Sequence, residues 1–230
     1  MRSIFVAGTD TGVGKTVVAG CLAKYWAGMG LKTITQKWAQ TGVRANHSCD
    51  IDFHLKMMGK SRADIRDYRH AVMPYAFAFP ASAHLASRVE HKTIKASRIK
   101  SSFRALASSF DRVIVEGTGG LLVPYDQKHF LIDIAQDLKL PVLLVAENKL
   151  GVINHTLLSL EALRQRKMRV VGVVFNNLVK CDARILQDNP RVIKVFSGAR
   201  VLGVMPKART QDELYRNFVP IAKKICEGLT

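Results

Sequence analysis

Short apolar runs alternate with longer segments of helical periodicity along the whole chain. The runs are rich in β-branched residues, and several are apolar on both faces, which is typical of parallel strands covered by helices. This alternation of strands and helices predicts βαβ units. The predicted strands are Ser3 to Ala7, Thr33 to Gln36, Arg112 to Val115, Val142 to Ala146, Arg169 to Phe175 and Val201 to Val204.

Helical periodicity occupies most of the intervals between these strands. Across residues 93–108, for example, apolar side chains return on one face and polar ones fill much of the rest. Residues 60–90 give no clear pattern. We therefore expect an α/β fold with a mostly parallel central sheet flanked by helices, in a single domain over residues 1–230. The predicted helices span residues 15–28, 50–58, 93–108, 130–138, 153–167 and 218–228.

The first predicted strand runs directly into a glycine-bearing loop, residues 8–16, that ends in Gly-Lys-Thr before a helical segment. A strand, such a loop and a helix in this order are the context of a phosphate-binding loop, although Thr9 stands where the first glycine usually does and Gly8 precedes it. Lys15 would reach the β- and γ-phosphates and Thr16 would place its hydroxyl on Mg²⁺. The sequence predicts a P-loop NTPase-like fold that binds a nucleoside triphosphate.

Three further places carry charged side chains that could serve the nucleotide site, two after predicted strands and one at the start of a predicted helix. Glu116 follows the third strand and begins a glycine loop over residues 117–120, where an acid could hold a metal directly or through water. Lys37 follows the second strand and could clamp a transferring phosphoryl group, although a solvated lysine is the alternative. Asp50 and Asp52 open a predicted helix, as an N-cap or as metal ligands.

The charge of the chain needs an explanation of its own. Its 230 residues include 35 Lys and Arg against 18 Asp and Glu, a formal net charge of +17. Such an excess suits proteins that bind nucleic acid or polyanionic ligands. The basic residues are scattered, however, with short clusters such as residues 62–69 and 164–169, and no nucleic-acid-binding motif occurs. We favour a solvated basic surface and do not expect nucleic acid as a partner.

The spacing of the cysteines and the length of the apolar runs indicate the cellular compartment of the protein. The four cysteines, at positions 21, 49, 181 and 226, lack the spacing of a zinc site and the density of a disulfide framework. The longest apolar runs fall well short of the roughly 20 residues of a transmembrane helix, and the first residues lack a signal-peptide pattern. We expect a cytoplasmic protein without a membrane span.

Four sequence blocks, in the same order along the chain, resemble the dethiobiotin synthetase family. Together with the secondary matches below they span residues 4–206, nearly the whole chain, and as a set they are far more specific than the phosphate loop, which many ATPases share. The blocks are residues 8–16, Lys37 with residues 40–42, residues 116–120 and residues 151–155.

The resemblance has departures and secondary support. Trp38 stands where the family usually has proline after the lysine, and Ala83 stands where proline usually precedes the histidine. Neither departure removes a charged group. Secondary support comes from residues 74–77 with Pro80 and His84, from Asn176 and Asn177, and from residues 203–206.

The resemblance implies a homodimeric P-loop enzyme, an ATP-dependent cyclo-ligase in the penultimate step of biotin biosynthesis. The expected reaction closes a cyclic urea on 7,8-diaminononanoate with CO2 or bicarbonate, giving dethiobiotin, ADP and phosphate. An amine forms a carbamate, the carbamate takes the γ-phosphoryl group as a carbamic-phosphoric anhydride, and the second amine expels phosphate. ATP is implied as cosubstrate and Mg²⁺ as cofactor.

Catalytic and metal-binding roles are implied by the same family match. Lys15 and Lys37 would be catalytic, with Lys37 binding the carbamate and the phosphoryl oxygens. Together with Mg²⁺ they would supply the positioning and charge neutralisation that phosphoryl transfer needs. The metal would be held by Thr16, Glu116 and, in preference to Asp52, Asp50.

The implied nucleotide site follows the phosphate loop and the ends of several strands. Asn176 and the turn at residues 205–207 would contact adenine. The ribose would be contacted by Asp212 or by Glu213, or by no acidic residue at all. The implied ATP-binding residues are Thr11, Gly12, Val13, Gly14, Lys15, Thr16, Val17, Asp50, Glu116, Gly117, Thr118, Gly119, Asn176, Asn177, Met205, Pro206 and Lys207.

The implied diamine site joins the catalytic lysine to a helix start. Thr41 would touch the diamine, and N–H groups of the turn at residues 151–154 would bind its carboxylate across the dimer interface. A simple N-cap is the alternative for Asn154, and a structural role is the alternative for His84. The implied substrate-binding residues are Thr11, Lys37, Thr41, Gly151, Val152, Ile153 and Asn154.

Three other classes compete with this interpretation. A partition-type ATPase that coats DNA would suit the charge, but that class carries a second lysine early in its loop, where this chain has Asp10. The synthetase domain of corrin-ring amidotransferases is joined to a glutaminase domain, for which 230 residues leave no room. A nucleotide-binding regulator without turnover is the third alternative.

Overall fold

The computed structural model describes residues 3–43 and 48–229, and within them the strands form two parallel sheets. Six strands make the central sheet in the order β2-β5-β1-β6-β7-β8, and β3 pairs with β4 beside it. The strands are β1 (Ser3–Gly8), β2 (Thr33–Lys37), β3 (Ala39–Gln40), β4 (Tyr75–Ala76), β5 (Arg112–Gly120), β6 (Val142–Glu147), β7 (Val170–Asn176) and β8 (Val201–Met205).

Helices connect the strands and cover both faces of the central sheet. A 3-10 segment, Arg62–Tyr68, lies between the second and third helix. None of the helices in the described ranges is long and apolar enough to cross a membrane. The helices are α1 (Lys15–Gly28), α2 (Cys49–Met57), α3 (Arg69–Val72), α4 (Ala83–Val89), α5 (Ala96–Ser109), α6 (Leu131–Asp137), α7 (Val152–Gln165), α8 (Ala183–Ser197) and α9 (Gln211–Leu229).

Each face of the sheet has its own apolar cluster. On β1, Phe5 and Ala7 belong to the cluster that includes side chains of α5, α6 and α7. Ile4 and Val6 point the other way, into a cluster that α1 and α9 close. Successive residues of a strand alternate between faces, so a strand buried on both sides must be apolar throughout. Each such buried side chain contributes about 1.5–3 kcal/mol.

The six predicted strands of the central sheet are confirmed, with one correction. β5 does not end at residue 115 but continues to Gly120, so Glu116 lies inside a strand and residues 117–120 are not a loop. The reason is pairing on both sides. Glu116 pairs with Lys37 of β2, and Gly120 pairs with Gly8 of β1.

Two helices differ from the prediction, and each contains a proline. α8 was not predicted and holds Pro190, and α9 begins at Gln211 rather than at residue 218 and holds Pro220. Proline is penalised inside helices, yet packing of an amphipathic face overrides that penalty here. The helix predicted from residue 93 begins at Ala96, and residues 60–90 hold the short elements α3, α4 and β4.

Candidate active site

The phosphate loop joins β1 to α1, and its glycines are required by backbone geometry. Gly12 and Gly14 have φ angles of 77° and 94°, in the left-handed region that favours glycine. Gly14 is also the N-cap of α1. Asn176 at the end of β7 donates its Nδ2 to the carbonyl of Val13 at 2.7 Å, so the loop is held to the sheet.

Lys15 folds back over the loop. Its Nζ donates to the carbonyl of Asp10 at 2.7 Å, and a Cβ on residue 8 would lie 2.8 Å from that Nζ. Gly8 is therefore needed for Lys15 to adopt this position. Burial, and next the charge of Lys37, lower the pKa of Lys15 to about 8. A phosphate ligand would relieve both effects, because it supplies the missing negative charge.

Lys37 lies between two carboxylates at the carboxyl end of β2. Its Nζ is 2.6 Å from Glu116 Oε1 and 2.7 Å from Asp50 Oδ2. The same Nζ is 3.3 Å from the carbonyl oxygen of Gly117. The pairing of β2 with β5 places Lys37 beside Glu116, and α2 brings Asp50 to them. Sequence positions 37, 50 and 116 thus meet within one small polar cluster.

Thr16 completes this cluster from the first turn of α1. Its Oγ1 lies 2.9 Å from Glu116 Oε1 and 3.1 Å from Asp50 Oδ1. His54, one turn after Asp50 on α2, is fully buried and places Nε2 3.1 Å from Glu116 Oε2. We call these five residues, Thr16, Lys37, Asp50, His54 and Glu116, the carboxylate cluster.

The charges of the cluster stabilise one another against burial. Burial alone would raise the pKa of Glu116, but Lys37 and His54 outweigh it and lower that pKa to about 2. Burial alone would lower the pKa of Lys37, but Glu116 and Asp50 outweigh it and raise that pKa. The cluster therefore holds an ammonium beside an ionised carboxylate at neutral pH.

The oxygen atoms of the cluster fit a magnesium ion. Mg²⁺ prefers hydroxyl and carboxylate oxygens, and Thr16, Asp50 and Glu116 offer them around one point. Lys37 Nζ, itself a cation, lies between two of these oxygens. No group of three His, Cys, Asp or Glu side chains within residues 3–43 and 48–229 could hold a metal.

Asp52 lies outside the carboxylate cluster. It forms a paired contact with Arg62, with Nε to Oδ1 at 2.6 Å and a second nitrogen to Oδ2 at 2.9 Å. Neither Asp50 nor Asp52 is the N-cap of α2, because Ser48 accepts from the N–H of Ile51 in that role. Of the two aspartates, Asp50 is the one that contacts Thr16 and Lys37.

The predicted diamine-binding residues lie on two separate elements. Gly151 is the N-cap of α7, with φ 88°, and Asn154 is exposed in the first turn, so the N-cap alternative for Asn154 is wrong. No contact between residues 151–154 and the carboxylate cluster exists within the described residues. Thr41 is half-buried after β3, and the following Gly42 packs close to Pro80.

The predicted adenine-binding residues meet at the ends of β7 and β8. The N–H of Asn177 donates to the carbonyl of Met205 at 2.9 Å, and Met205 is buried while Pro206 and Lys207 are exposed. Asn176 is buried, and its amide already contacts the phosphate loop. This edge thus joins the nucleotide loop to the predicted base-binding turn.

Comparisons with known proteins identify the family. A family model described as an AAA domain matches residues 2–213. The ATP-dependent dethiobiotin synthetase BioD of Chlorobaculum tepidum is 44% identical over 188 residues, 82% of this chain and 78% of that protein. The ATP-dependent dethiobiotin synthetase BioD 2 of Haemophilus influenzae is 41% identical over 192 residues, 84% of this chain and 99% of that protein. The chain belongs to the dethiobiotin synthetase family.

Solved structures of other proteins share the fold of this dethiobiotin synthetase family member. The MinC:MinD cell division complex of Aquifex aeolicus matches with a TM-score of 0.60 at 15% identity, over 99% of this chain and 95% of that one. A ParA family ATPase from Chlorobium tepidum matches with a TM-score of 0.58 at 15% identity, over 100% and 99%. These likenesses confirm the predicted P-loop NTPase-like fold.

The two departures from the dethiobiotin synthetase pattern occupy packed positions. Trp38 is fully buried, stacks on Phe5 with ring centroids 5.3 Å apart, and donates its Nε1 to Gln36 at 2.9 Å. Ala83 is buried at the start of α4, and the adjacent His84 is exposed, which is not the position of a core histidine. Trp38 follows Lys37 in the chain, but its side chain contacts Phe5 and Gln36 and not the polar groups of the carboxylate cluster.

Sequence reasoning missed three side chains that support the dethiobiotin synthetase site. His54 could have been found, because it lies four residues after Asp50 and so on the same face of a helix. Asn148 and Asn189 were missed because neither lies in a motif. Asn189 Nδ2 donates to Asn148 Oδ1 at 2.9 Å, and Asn148 Nδ2 donates to Asn177 Oδ1 at 3.0 Å.

Proposed function

We propose that this protein is an ATP-dependent dethiobiotin synthetase that closes a cyclic urea on 7,8-diaminononanoate with CO2 or bicarbonate. The observation that carries the proposal is Lys37 beside Thr16, Asp50 and Glu116 at the edge of the sheet that also bears the phosphate loop. This chain is 41–44% identical to dethiobiotin synthetases over most of its length, and that identity supports the same activity.

The chemistry requires positioning and charge neutralisation. A substrate amine adds to CO2 and loses a proton to give a carbamate, whose oxygen attacks the γ-phosphorus as ADP leaves. The second amine then attacks the carbamoyl carbon, the ring closes and phosphate departs. We propose that Lys15 and Lys37 neutralise the transferring phosphoryl group, and that Lys37 also holds the carbamate. Neither role needs a protein nucleophile.

We propose Thr16, Asp50 and Glu116 as the residues that hold Mg²⁺. When bound, the metal would neutralise charge on the phosphates. Lys37 now provides the positive charge among these oxygens, and His54 contacts the far oxygen of Glu116. Oε1 of Glu116 accepts from Thr16 and from Lys37, so these two contacts orient the carboxylate before any nucleotide binds.

The nucleotide and diamine assignments are proposals of the same kind. We propose that the loop residues 11–17 hold the phosphates, that residues 117–119 line the same edge, and that Asn176, Asn177 and the turn at residues 205–207 contact adenine. We propose that Thr11, Thr41 and the first turn of α7 contact the diamine. ATP-dependent action on a biosynthetic intermediate is consistent with a cytoplasmic protein.

We also propose a homodimer, and the position of α7 supports it. Asn154 and Leu158 are one turn apart on its exposed face, and Leu150 precedes the helix; Leu150 and Leu158 are 79% and 61% exposed. Exposed apolar side chains beside a proposed carboxylate-binding turn support an interface here. We propose that two copies of the chain meet at this face, so that each α7 start reaches the other copy's diamine site.

The test is phosphate release from MgATP and bicarbonate, measured with and without 7,8-diaminononanoate, together with the mass of the product. We expect release that depends on the diamine and yields the cyclic urea, and we expect Lys37→Ala and Lys15→Ala to abolish it while circular dichroism stays unchanged. Release that is independent of the diamine, or that DNA stimulates, would reject the synthetase.

A further inference from the structure

A second concave site lies beside the small β3-β4 sheet, away from the phosphate loop. It is a cleft of about 1010 Å³, at the upper end of the size of small-ligand sites. Its walls come from the 3-10 segment, from α3, and from the chain between β4 and α5. Its described lining does not include any residue proposed above to bind nucleotide, metal or diamine. The side chains that define its chemistry are Arg62, Arg66, Arg69, Tyr75, Lys92 and Arg98.

Positive charge converges on this cleft, which we call the arginine cleft. Three of its arginines, Arg66, Arg69 and Arg98, are exposed and have no carboxylate partner within the described residues. Only Arg62 and Lys92 are neutralised, by Asp52 and Glu90, and neither acid lines the cleft. Arg69 donates its Nε to His70 Nε2 at 3.2 Å, and none of the three guanidinium charges is neutralised by a described carboxylate. These charges can therefore attract an anion into the cleft.

The floor of the arginine cleft is apolar and aromatic. Ile65, Val72 and Tyr75 are buried and line it. The guanidinium carbon of Arg98 lies 4.9 Å from the centroid of the Tyr75 ring, which holds that charge at the cleft wall. The Tyr75 hydroxyl accepts from the N–H of Lys95 at 2.8 Å, so the ring itself is fixed. A ligand would meet the held charge of Arg98 and the exposed charges of Arg66 and Arg69 beside an apolar surface.

We propose that the arginine cleft binds a small phosphorylated molecule, with its phosphates on Arg66, Arg69 and Arg98 and an apolar or aromatic body on the floor. Guanidinium groups bind phosphate oxygens through two parallel hydrogen bonds, and three of them suit a di- or triphosphate better than a single carboxylate. This site is additional to the phosphate loop and does not depend on the synthetase activity. It gives part of the +17 charge a function.

The shape of the site favours a small ligand over nucleic acid. A nucleic-acid surface follows a backbone along an extended stripe of cations. Here the three unpaired arginines surround one concavity, and apolar residues occupy its centre. The sequence motifs of nucleic-acid-binding domains are also missing from the chain.

The experiment counts tripolyphosphate ions bound per chain by isothermal titration calorimetry at low salt. The wild-type protein should bind two, one at the phosphate loop and one in the arginine cleft. Lys15→Ala should bind one, and Arg66→Ser/Arg69→Ser should also bind one, at the loop. Combining all three changes should weaken binding about tenfold or more relative to Lys15→Ala, because the guanidinium contacts are lost.

The matched control removes two charges elsewhere. Arg191 and Lys194 are exposed on α8, so Arg191→Ser/Lys194→Ser lowers the net charge by the same amount without touching the cleft. This variant should still bind two ions. An equal loss in the control would overturn the proposal, because net charge alone would then explain binding. So would a single ion per wild-type chain, or binding seen only with a long single-stranded RNA. If Lys15→Ala fails to fold, the proposal is tested by the double variant alone. It requires Arg66→Ser/Arg69→Ser to bind one tripolyphosphate ion where the wild-type protein binds two.

Discussion

Lys37 supplies the positive charge that lies between the two carboxylates of the site. Its Nζ contacts Glu116 at 2.6 Å and Asp50 at 2.7 Å, close to where the proposed metal ligands converge. Removing one partner of a buried ion pair typically costs about 3–5 kcal/mol, because the other charge is left without compensation. A divalent cation is the natural replacement for the missing ammonium.

We expect Lys37→Met to lower the melting temperature of the free protein and Mn²⁺ to restore part of the loss, since Mn²⁺ would then neutralise Asp50 and Glu116. In the wild-type protein Mn²⁺ without nucleotide should have little effect. Differential scanning calorimetry with and without Mn²⁺ measures this. The control is Lys223→Met, which removes an exposed lysine of α9. An Mn²⁺ effect as small in Lys37→Met as in the control would contradict the assignment.

Asp50 and Asp52 should differ sharply when each is changed to asparagine. Asp50→Asn removes a charge that contacts Thr16 and Lys37, so the Mg²⁺ concentration for half-maximal phosphate release should rise about tenfold or more. Asp52→Asn weakens an ion pair with Arg62 at the surface, worth about 0–1 kcal/mol, and should leave the Mg²⁺ dependence unchanged because Asp52 lies outside the carboxylate cluster. Equal effects in a Mg²⁺ titration would reject Asp50 as a ligand.

Lys15 should make nucleotide binding sensitive to alkaline pH. Burial lowers its pKa to about 8, so in the free protein the ammonium loses its proton as the pH rises through that value. Affinity for a fluorescent ATP analogue should therefore fall from about pH 7 to about pH 9, because the phosphates lose a cation. Lys15→Arg stays charged and should show a flat profile over the same range.

The same titration of Lys15 affects stability in the opposite direction. Nucleotide affinity falls as the pH rises, whereas the free energy of unfolding rises. An unfolded lysine holds its proton up to its ordinary pKa of 10.5, whereas the folded protein releases it near 8. The unfolded state binds more protons in that window, so this residue makes unfolding harder as the pH rises through it. A fall in affinity together with a fall in stability would indicate general unfolding instead of titration of Lys15.

Single residues of the site were predictable where their place in the chain fixes their place in space. Lys15 and Thr16 follow from the loop motif, and Lys37 and Glu116 from their position after apolar runs that parallel pairing brings to one edge. The preference for Asp50 rested on family resemblance, since local pattern leaves Asp50 and Asp52 equivalent. His54 was missed because its burial depends on how α2 lies against the sheet.

At the scale of elements, α8 is attached to the nucleotide edge by buried amides. Asn189 on α8 donates to Asn148 and to the carbonyl of Lys149, and Asn148 in turn contacts Asn177 beyond β7. A buried amide left without its partner costs about 1–3 kcal/mol. The turn that begins α7 therefore depends on a helix that sequence pattern did not predict.

We expect Asn189→Ala to lower the free energy of unfolding by about 1–3 kcal/mol, because Asn148 and the Lys149 carbonyl lose a donor. Urea denaturation followed by circular dichroism measures this. Gln187→Ala on the same helix is the control, because Gln187 is exposed, and its effect should stay within about 0.5 kcal/mol. A cost no larger than that of the control would show that the amide contacts do not support α8.

Element boundaries failed where tertiary packing overrode local preference. The glycines after Glu116 indicated a loop, yet β5 continues through them, and Gly120 pairs with Gly8 of β1. No helix was predicted over α8, and the predicted start of α9 was seven residues too late. Long apolar runs such as β6, by contrast, were predicted closely because burial on both faces leaves them little choice.

At the scale of the whole molecule, the arginine cleft could not be predicted from the distribution of charge. Its cations come from residues 62–69 and from residues 92–98, and no periodic pattern in residues 60–90 indicated that they would meet. The single-domain organisation over residues 1–230 and the homodimer both stay predictions. The homodimer can be tested directly by a substitution on the exposed face of α7.

We expect Leu158→Asp to convert a dimer into a monomer in sedimentation velocity, because a carboxylate at an apolar interface would be buried without a partner. Diamine-dependent phosphate release should fall with it, since the start of α7 would no longer reach a second copy. Val195→Asp is the control. Val195 is 70% exposed, like Leu158, but it lies on α8 and not on the proposed interface, so this variant should stay dimeric. A dimer that persists in Leu158→Asp would exclude this face.

The pairing of β2 with β5 sets Lys37 directly beside Glu116 on neighbouring strands. A slip of one residue between these strands would turn Lys37 to the opposite face of the sheet and strand the buried Glu116 without a counter-charge. Correct edge pairing and placement of the proposed catalytic lysine are thus the same structural event. During refolding from denaturant, recovered turnover would therefore count only those molecules whose outermost strand has docked in register, and an enzyme assay becomes a probe of strand alignment.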